Sequence, residues 1–254
     1  MNRRQFISLA AGGLAANLLA PSSPAQTRRR ARFQGVVFDA FPIFDPRPVF
    51  AAAEEIFPGH GQELSSLWRS RQFEYTWLRT LAHRYADFER TTADALTFAV
   101  RALRLSLSHA DRERLLGAYF QLKAWPDIRP ALDALKAAGI WLGFLSNFTR
   151  RMLEANIASS GLHGYFERIL STDQAGAFKP DPRAYQLGPA AFGLAKEELV
   201  FAAYAGWDAA GAKAFGYPTF WINRQDAPAE ELPAPPDAMG TIGGLVPFIL
   251  GQTG

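Results

Sequence analysis

The hydrophobic pattern of the chain changes along its length and marks out three regions. Gly35 to Phe38 is a short run of apolar and β-branched residues, typical of a strand buried on both faces. From about 48 to 122, apolar residues recur at three- and four-residue steps, which predicts helices and no strand. From about 123 onward, helical patterns alternate with short apolar runs, which predicts helices and strands in turn.

Turn and capping residues set the predicted boundaries. In the middle region, helices are expected at 91–105 and 108–122. In the last region, helices are expected at 128–138, 150–160 and 208–216, and strands at 140–145, 168–170, 199–203 and 218–222. Asp181 and Pro182 suit the N-cap and first position of another helix. After Asp226 the chain is rich in proline and alanine, so irregular structure closing with one helix is expected.

Repeated strand–helix units predict an α/β fold with a parallel sheet and right-handed crossovers. The 254 residues, 48% of them hydrophobic, are enough for one domain with a large insertion or for two unequal domains. We expect residues 33–47 and 123–254 to form the sheet-containing core and residues 48–122 to form a helical insertion.

Charge and cysteine content narrow the function classes. The chain has no cysteine, which excludes disulfides, a thiolate nucleophile and a cysteine metal site. Six of the 27 basic residues lie in the first 32 positions, where no acid occurs, so the rest of the chain has fewer basic than acidic residues. A nucleic-acid binder would carry its basic excess on the folded surface, so we expect no nucleic-acid partner.

The first 25 residues resemble a twin-arginine (Tat) export signal. The segment NRRQFI at 2–7 precedes a moderately apolar stretch at 9–20 and the small residues SPA at 23–25, which suit a cleavage site. The apolar stretch is too short for stable membrane insertion. The resemblance implies that the Tat machinery exports the folded protein to the periplasm, with residues 26–32 as a basic tail. The alternative is an N-terminal extension with no signal function.

Polar residues follow several predicted strands or open the turns beyond them: Asp39, Ser146, Asn147, Lys179 and Asp208. Because the carboxyl ends of parallel strands share one edge of a sheet, we expect these side chains to converge there. Each residue also has a purely structural interpretation, since Asp39 can cap a turn and Asp208 can cap a helix. Their occurrence together and in order favours a functional site.

The whole set resembles the haloacid dehalogenase (HAD) superfamily from residue 34 to about 225, and within it the type II 2-haloacid dehalogenases. The segments that carry the resemblance are FDAF at 38–41, WRSRQFEYTWLR at 68–79, RYADF at 84–88, LSN at 145–147, FKPDPRAY at 178–185 and WDAAGAKAFG at 207–216. The resemblance implies a HAD-like, Rossmann-like parallel sheet flanked by helices, with residues 48–122 as an all-α cap subdomain. It also implies a homodimer formed through the cap.

The resemblance implies a cofactor-independent hydrolysis of short-chain (S)-2-haloacids to 2-hydroxy acids, with a halogenated carboxylic acid and halide as ligands. Asp39 would attack C2 of the acid, displace halide with inversion and form an aspartyl ester. Lys179 would keep Asp39 ionised. Asp208 would orient and activate water for attack on the ester.

The resemblance also implies residues that contact the substrate. Arg69 would stabilise the departing halide with help from Asn147, and Ser146 would hold the substrate carboxylate together with nearby backbone N–H groups. Tyr185 matches a family tyrosine near the lysine. A dry wall would be formed by Phe41, Phe88 and Trp207, because removing water makes a carboxylate more nucleophilic. Aromatic residues in the helical insertion otherwise suit the core of a helix bundle.

No metal is expected. Metal-dependent phosphatases of the superfamily carry a second aspartate two positions after the nucleophile, where this chain has Phe41. The fourth motif holds one acid, Asp208, and two carboxylates make a poor Mg²⁺ site beside an anionic substrate. The four histidines are widely spaced, so no histidine metal site is expected.

Two segments depart from the type II pattern. The loop after Asp39-Ala40 is one residue shorter than in the family and lacks its threonine, with Ile43 in that region. The fourth motif has Ala203 and Ala205 where the family usually has Ser and Asn in Ser-Ser-Asn-Gly. Losing such a positioning group can cost on the order of 10²-fold in rate. Two alternatives therefore stay open: a HAD-type hydrolase of a different small acid, and a catalytically weakened protein that binds a small acid.

Overall fold

The structure, a computed structural model, describes residues 32–251. The Tat-like segment at 1–25 lies outside the described residues. Eight strands occur in the described part: β1 (Gly35–Phe38), β2 (Phe44–Asp45), β3 (Lys123–Ala124), β4 (Trp141–Ser146), β5 (Arg168–Ser171), β6 (Leu199–Ala203), β7 (Thr219–Ile222) and β8 (Ala238–Gly240). Six of them form a parallel sheet in the order β5-β4-β1-β6-β7-β8, whereas β2 and β3 pair antiparallel.

Eleven α-helices accompany these strands. They are α1 (Ala40–Ile43), α2 (Arg47–Ile56), α3 (Gly61–Leu81), α4 (Phe88–Ala102), α5 (His109–Ala118), α6 (Ile128–Ala137), α7 (Arg150–Ser159), α8 (Pro182–Tyr185), α9 (Leu187–Phe192), α10 (Gly206–Phe215) and α11 (Ile242–Leu250). Short 3₁₀ turns cover Thr172–Ala175 and Lys196–Glu198. Among the described helices, none is both long enough and apolar enough to cross a membrane.

The sheet is buried because both of its faces are covered by apolar side chains. Val36 and Phe38 of β1 belong to one hydrophobic cluster, whereas Val37 belongs to a second cluster with Leu145 and Phe201. Successive side chains of a strand point to opposite faces, so this division places one cluster on each side of the sheet. A central strand of this kind needs the continuous apolar run seen in the sequence. The predicted α/β fold with a parallel sheet is confirmed.

The helical cap lies between β2 and β3. Within it, α3 packs against α4 and α2, and α2 packs against α5. The two strands that flank the cap pair with each other, with Phe44 opposite Ala124 and Asp45 opposite Lys123. The chain therefore leaves and re-enters the sheet-containing part at adjacent points, so the cap is an insertion behind the first strand.

Side-chain caps begin several helices where the sequence places them. Asp181 accepts a hydrogen bond from the Arg183 backbone N–H at 2.9 Å, and Pro182 is the first residue of α8. This confirms the predicted helix start after Lys179. Thr149 caps α7 in the same way, accepting from the Met152 N–H at 3.2 Å. Both caps satisfy backbone donors that a helix leaves unpaired at its N-terminus.

Three sequence predictions about elements were wrong in detail. The helix expected at 108–122 ends at Ala118, because Leu122 turns to hydrogen-bond Asn156 on α7 at 2.9 Å. The helix expected at 91–105 ends at Ala102, and Arg104 takes a positive φ of 55°. The segment after Asp226 contains β8 as well as the expected closing helix. β8 has only three residues, too few for an apolar pattern to reveal.

Candidate active site

Asp39 follows β1 at the carboxyl edge of the sheet and serves two purposes. Its Oδ2 accepts from the Phe41 backbone N–H at 3.4 Å, which caps α1. Its Oδ1 accepts from Lys179 Nζ at 2.9 Å and from the Ser146 hydroxyl at 3.0 Å. The structural and functional interpretations of Asp39 therefore coexist, since one carboxylate oxygen caps the turn while the other lies among polar side chains.

Lys179 is buried with its ammonium group between two carboxylates. Nζ lies 2.6 Å from Asp208 Oδ2 and 2.9 Å from Asp39 Oδ1, and it also donates to the Leu145 carbonyl at 3.4 Å. Burial alone lowers the pKa of Lys179, but the charges of Asp208 and Asp39 outweigh burial and raise it. The lysine is therefore a stable cation that uses all three of its donor positions.

Asp208 lies in the first turn of α10 and is also buried. Its Oδ1 accepts from the Tyr185 hydroxyl at 2.7 Å, while its Oδ2 accepts from Lys179. Burial raises the pKa of Asp208 to about 6, Lys179 opposes that shift, and Asp39 adds to it. Burial also raises the pKa of Tyr185 well above its usual value, so the phenol stays neutral and donates its proton to the carboxylate.

These groups border a small cavity, the Asp39 cavity, of about 20 Å³. Its polar side is formed by Asp39, Ser146, Asn147, Lys179 and Asp208, and its other walls by Phe41, Phe73, Phe88, Phe148, Tyr204, Ala205 and Trp207. The aromatic walls pack tightly, since the Phe148 ring lies 5.2 Å from Phe41 and 5.4 Å from Phe88. A volume of this size holds about one water molecule. The carboxylates therefore face a largely dry space.

A second cavity of about 410 Å³, the outer cavity, adjoins the Asp39 cavity. The two share Phe73, Tyr204, Ala205 and Trp207 as lining residues. Trp207 packs edge-on against the rings of Phe73 and Trp77, each with centroids 5.5 Å apart. Because Phe73 and Trp77 belong to α3 and Trp207 to α10, this wall joins the cap to the sheet-containing part.

Eight of the ten predicted site residues line the Asp39 cavity, whereas Arg69 and Tyr185 do not. The position of Tyr185 corrects its assignment as a substrate contact: it is fully buried and supports Asp208. Arg69 lines the outer cavity instead, with its guanidinium 5.8 Å from the ring centroids of Phe73 and Tyr204. The structure therefore does not bring Arg69 into direct contact with the space beside Asp39.

The hydrogen bonds of Ser146 and Asn147 give these two residues roles that differ from those the sequence predicts. The Ser146 hydroxyl gives its proton to Asp39 and accepts from the Phe148 backbone N–H at 3.2 Å, so it orients Asp39 and has no proton left for a substrate carboxylate. Asn147 Oδ1 accepts from the Lys179 backbone N–H at 3.1 Å and from Thr172 Oγ1 at 3.3 Å. The Asn147 amide is therefore held with its NH₂ group as the remaining donor.

Sequence reasoning missed four wall residues. Phe148 directly follows Asn147, and that adjacency is a signal that could have found it. Phe73 is one of the aromatic residues of the cap whose helical spacing predicts the bundle core. In the sequence, Ala205 marks a departure from the family pattern and Tyr204 directly precedes it; the Tyr204 ring packs 5.6 Å from Phe41 and lies below Arg69.

The donor set does not suit a metal ion. In residues 32–251, no three His, Asp or Glu side chains are grouped so that they could hold one. The ammonium of Lys179 lies between Asp39 and Asp208, the position that a cation bridging these two carboxylates would need. Lys179 therefore supplies the positive charge at this point.

Comparison with known proteins gives a consistent result. A family model described as haloacid dehalogenase-like hydrolase matches residues 23–216. An (S)-2-haloacid dehalogenase of Pseudomonas putida is 42% identical over 204 residues, covering 80% of this chain and 90% of that protein. The haloacetate dehalogenase H-2 of a Moraxella species is 40% identical over 207 residues, covering 81% and 92%.

Solved structures agree with these sequence matches. The crystal structure of an L-2-haloacid dehalogenase superposes with a TM-score of 0.84 at 41% identity, covering 85% of this chain and 98% of the other. An L-2-haloacid dehalogenase from Xanthobacter autotrophicus, solved with chloropropionic acid covalently bound, superposes with a TM-score of 0.80 at 31% identity. That match covers 87% of this chain and all of the other.

Proposed function

Because the chain belongs to the haloacid dehalogenase-like hydrolase family, we propose that it hydrolyses short-chain (S)-2-haloalkanoic acids to 2-hydroxy acids and halide. It is a hydrolase of carbon–halide bonds. The observation that carries the proposal is the Asp39 carboxylate, held by Lys179 and Ser146 at the edge of a dry, aromatic cavity. A carboxylate is a weak nucleophile in water and a better one where solvent is excluded.

The two carboxylate oxygens of Asp39 have different hydrogen-bond partners. This difference indicates which oxygen attacks the substrate in the first step. Oδ1 accepts two strong hydrogen bonds, whereas Oδ2 has one long contact to the Phe41 N–H. Oδ2 is therefore the nucleophile. It forms a bond to C2 of the haloacid as the carbon–halogen bond breaks and the halide leaves with the bonding electrons.

The same arrangement prepares the second step. After alkylation at Oδ2, Oδ1 is the carbonyl oxygen of the ester, with Lys179 and Ser146 donating to it. When water attacks the ester carbon, negative charge develops on Oδ1, and these donors stabilise it. Asp208 takes the proton of the attacking water, and a pKa raised to about 6 makes it a stronger base than an ordinary aspartate. When the bond between the ester carbon and the product oxygen breaks, Asp208 returns its proton to that oxygen and the 2-hydroxy acid leaves. Asp39 loses the remaining water proton to solvent, so both carboxylates are restored.

Arg69 is proposed to provide the charge that an anionic substrate and a departing halide need. Asp39, Lys179 and Asp208 together carry one net negative charge, which by itself repels a haloacid. The Arg69 guanidinium lies over Tyr204, which borders both cavities. Rotation of the Arg69 side chain past the Tyr204 ring would bring the guanidinium into the Asp39 cavity, where it could contact the departing halide.

The test of this function is halide release from racemic 2-chloropropionate by the chain without residues 1–25, with EDTA present and with Asp39→Asn as the control. Repeated turnover that is absent in the control supports the proposal. Halide release that requires added Mg²⁺, or that persists in Asp39→Asn, contradicts it.

Ala203 and Ala205 favour a second candidate, a protein that forms the ester but hydrolyses it poorly and so retains a small acid. Both alanines lack the polar groups that the family usually has there, and Ala205 lines the Asp39 cavity. Release of one equivalent of halide, with a matching mass gain on the peptide that contains Asp39, supports this candidate. Continued release rejects it. A different small acid as substrate would be revealed by screening.

We also propose that the Tat machinery exports the protein to the periplasm. The support is the NRRQFI segment with its apolar stretch and small-residue site. Replacing Arg3 and Arg4 by lysine should leave the full-length chain in the cytoplasm, whereas the unaltered chain is found shortened in the periplasm. Periplasmic recovery of the double variant would contradict this.

We also propose that the protein forms a homodimer through the cap. The support is the resemblance to the type II dehalogenases. Light scattering on the purified protein should give twice the mass of the chain. A monomer mass at all concentrations tested would reject the dimer without affecting the proposed chemistry.

A further inference from the structure

The wall between the two cavities contains one small side chain. Phe73, Tyr204 and Trp207 contribute rings to it, and Ala205 contributes only a methyl group. The Asp39 cavity, at about 20 Å³, is too small for any 2-haloacid, whereas the outer cavity measures about 410 Å³. A bound substrate therefore has to extend beyond the Asp39 cavity.

The other sides of the Asp39 cavity offer no such space. On one side lie the hydrogen-bonded groups Asp39, Lys179 and Asp208, which the chemistry requires. On another side Phe41 and Phe88 pack on Phe148, and all three rings are buried. The substituent on C2 of the acid can therefore extend only toward the shared wall and the outer cavity.

The outer cavity suits an alkyl chain. Its wall beyond Ala205 includes the indole rings of Trp77 and Trp221, which provide apolar contact area. Glu74 and Glu230 also line it, and with the single cation Arg69 they give the lining one net negative charge, which disfavours a second carboxylate on the substrate. An uncharged chain of several methylene groups fits these surroundings better than a dicarboxylic acid does.

From this geometry we infer that Ala205 determines the substrate range: it opens the Asp39 cavity to the outer cavity, so the site accepts 2-haloacids with linear C2 substituents up to about butyl. The inference rests on the proposed function and refines its substrate class. A larger residue at position 205 closes the opening and restricts the site to substrates with a methyl group or hydrogen on C2.

The test compares kcat/KM for racemic 2-bromopropionate, 2-bromobutyrate, 2-bromopentanoate and 2-bromohexanoate in the unaltered protein, Ala205→Val and Ala205→Leu. We expect the unaltered protein to use all four. We expect Ala205→Leu to lower kcat/KM for 2-bromohexanoate, relative to that for 2-bromopropionate, by about 30-fold, since the chain loses its burial site. The matched control is Ala229→Leu, an exposed position that lines neither cavity, and it should keep the original profile.

A binding measurement separates this inference from the proposed function. Calorimetry with propionate and hexanoate needs no turnover, and the unaltered protein should bind hexanoate more tightly, with the preference lost in Ala205→Leu. An unaltered protein that rejects the longer acids, or variants with an unchanged preference, would overturn the inference while halide release from 2-bromopropionate still upholds the function. Halide release from none of the four acids, with the hexanoate preference intact, would overturn the function alone.

Discussion

Lys179 Nζ lies 2.6 Å from Asp208 Oδ2, and both side chains are almost completely buried, at 1% and 2% exposed. The same ammonium contacts Asp39, so one cation holds two carboxylates at the edge of the sheet. This arrangement connects the two proposed steps: Lys179 fixes the nucleophile in the first, and in the second it donates to the ester oxygen beside the proposed base.

Replacing Lys179 by methionine should destabilise the fold strongly. Methionine has a similar length but no charge, so two carboxylates would face each other in the interior. Breaking a buried ion pair in this way costs about 3–5 kcal/mol in the free energy of unfolding. Urea denaturation at neutral pH measures it. The loss should be smaller near pH 5, where Asp208 binds a proton in the variant.

The matched control is Arg150→Met, which breaks the exposed ion pair with Glu154 on α7. Exposed pairs of this kind contribute about 0–1 kcal/mol. If both variants lose the same small amount of unfolding free energy, Lys179 does not stabilise the fold by holding the two buried carboxylates together.

Hydrolysis of the ester should depend on the ionisation of Asp208. Burial raises the pKa of this carboxyl to about 6, so the fraction of the base form falls as the pH drops through that value. In the ester, Asp39 is uncharged and no longer adds to this shift, whereas burial, the larger cause, remains. Single-turnover hydrolysis should therefore slow at a pH below about 6 but above the usual range of an aspartate, while the alkylation step does not follow Asp208. A hydrolysis rate that stays constant down to about pH 4.5 would remove Asp208 as the base.

The same pKa shift affects stability in the opposite direction: the free energy of unfolding falls as the pH rises, whereas the hydrolysis rate falls as the pH drops. A carboxyl whose pKa is higher in the folded state than in the unfolded state binds its proton more tightly when folded. Its contribution therefore favours the folded protein below its unfolded pKa and is lost as the pH rises through about 6. Asp208→Asn should accordingly reduce the decline of unfolding free energy over that range, as followed by urea denaturation at several pH values.

Tyr185→Phe should move the pH dependence of hydrolysis. Without the hydroxyl that donates to Asp208 Oδ1, the ionised carboxylate loses a stabilising partner and the pKa of Asp208 rises further. The acid limb of the hydrolysis profile should therefore shift to higher pH. Tyr217→Phe is the matched control, because the Tyr217 hydroxyl donates to the Tyr185 backbone carbonyl instead.

Both tyrosine variants should lose about 1 kcal/mol of unfolding free energy, since each removes one buried hydrogen bond. Only Tyr185→Phe should shift the profile. Equal shifts in both would mean that Tyr185 acts through general packing rather than through Asp208.

The sequence predicts the sheet well because its buried strands leave short continuous apolar runs. It also predicts the meeting of Asp39, Lys179 and Asp208, since residues that follow parallel strands reach the same edge. It fails at β8, where three residues pair with β7 through backbone groups that carry no hydrophobic pattern.

Details of the site depend on side-chain directions that spacing does not determine. Ser146 was expected to face the substrate, but its proton goes to Asp39. Tyr185 lies behind Asp208, and Arg69 lines a different cavity, although all three residues match family positions. Phe73 reaches the site from the cap, and helical spacing alone could not separate it from the rings of the bundle core.

The most direct test of the account is where oxygen from water appears in a single turnover. Excess protein is mixed with (S)-2-chloropropionate in water labelled with heavy oxygen. The masses of the 2-hydroxy acid and of the peptide that contains Asp39 are then measured by mass spectrometry. Attack by Asp39 Oδ2 predicts an unlabelled 2-hydroxy acid and one heavy oxygen on Asp39. A labelled 2-hydroxy acid with an unlabelled Asp39 would mean that water displaces the halide directly, and would contradict the account.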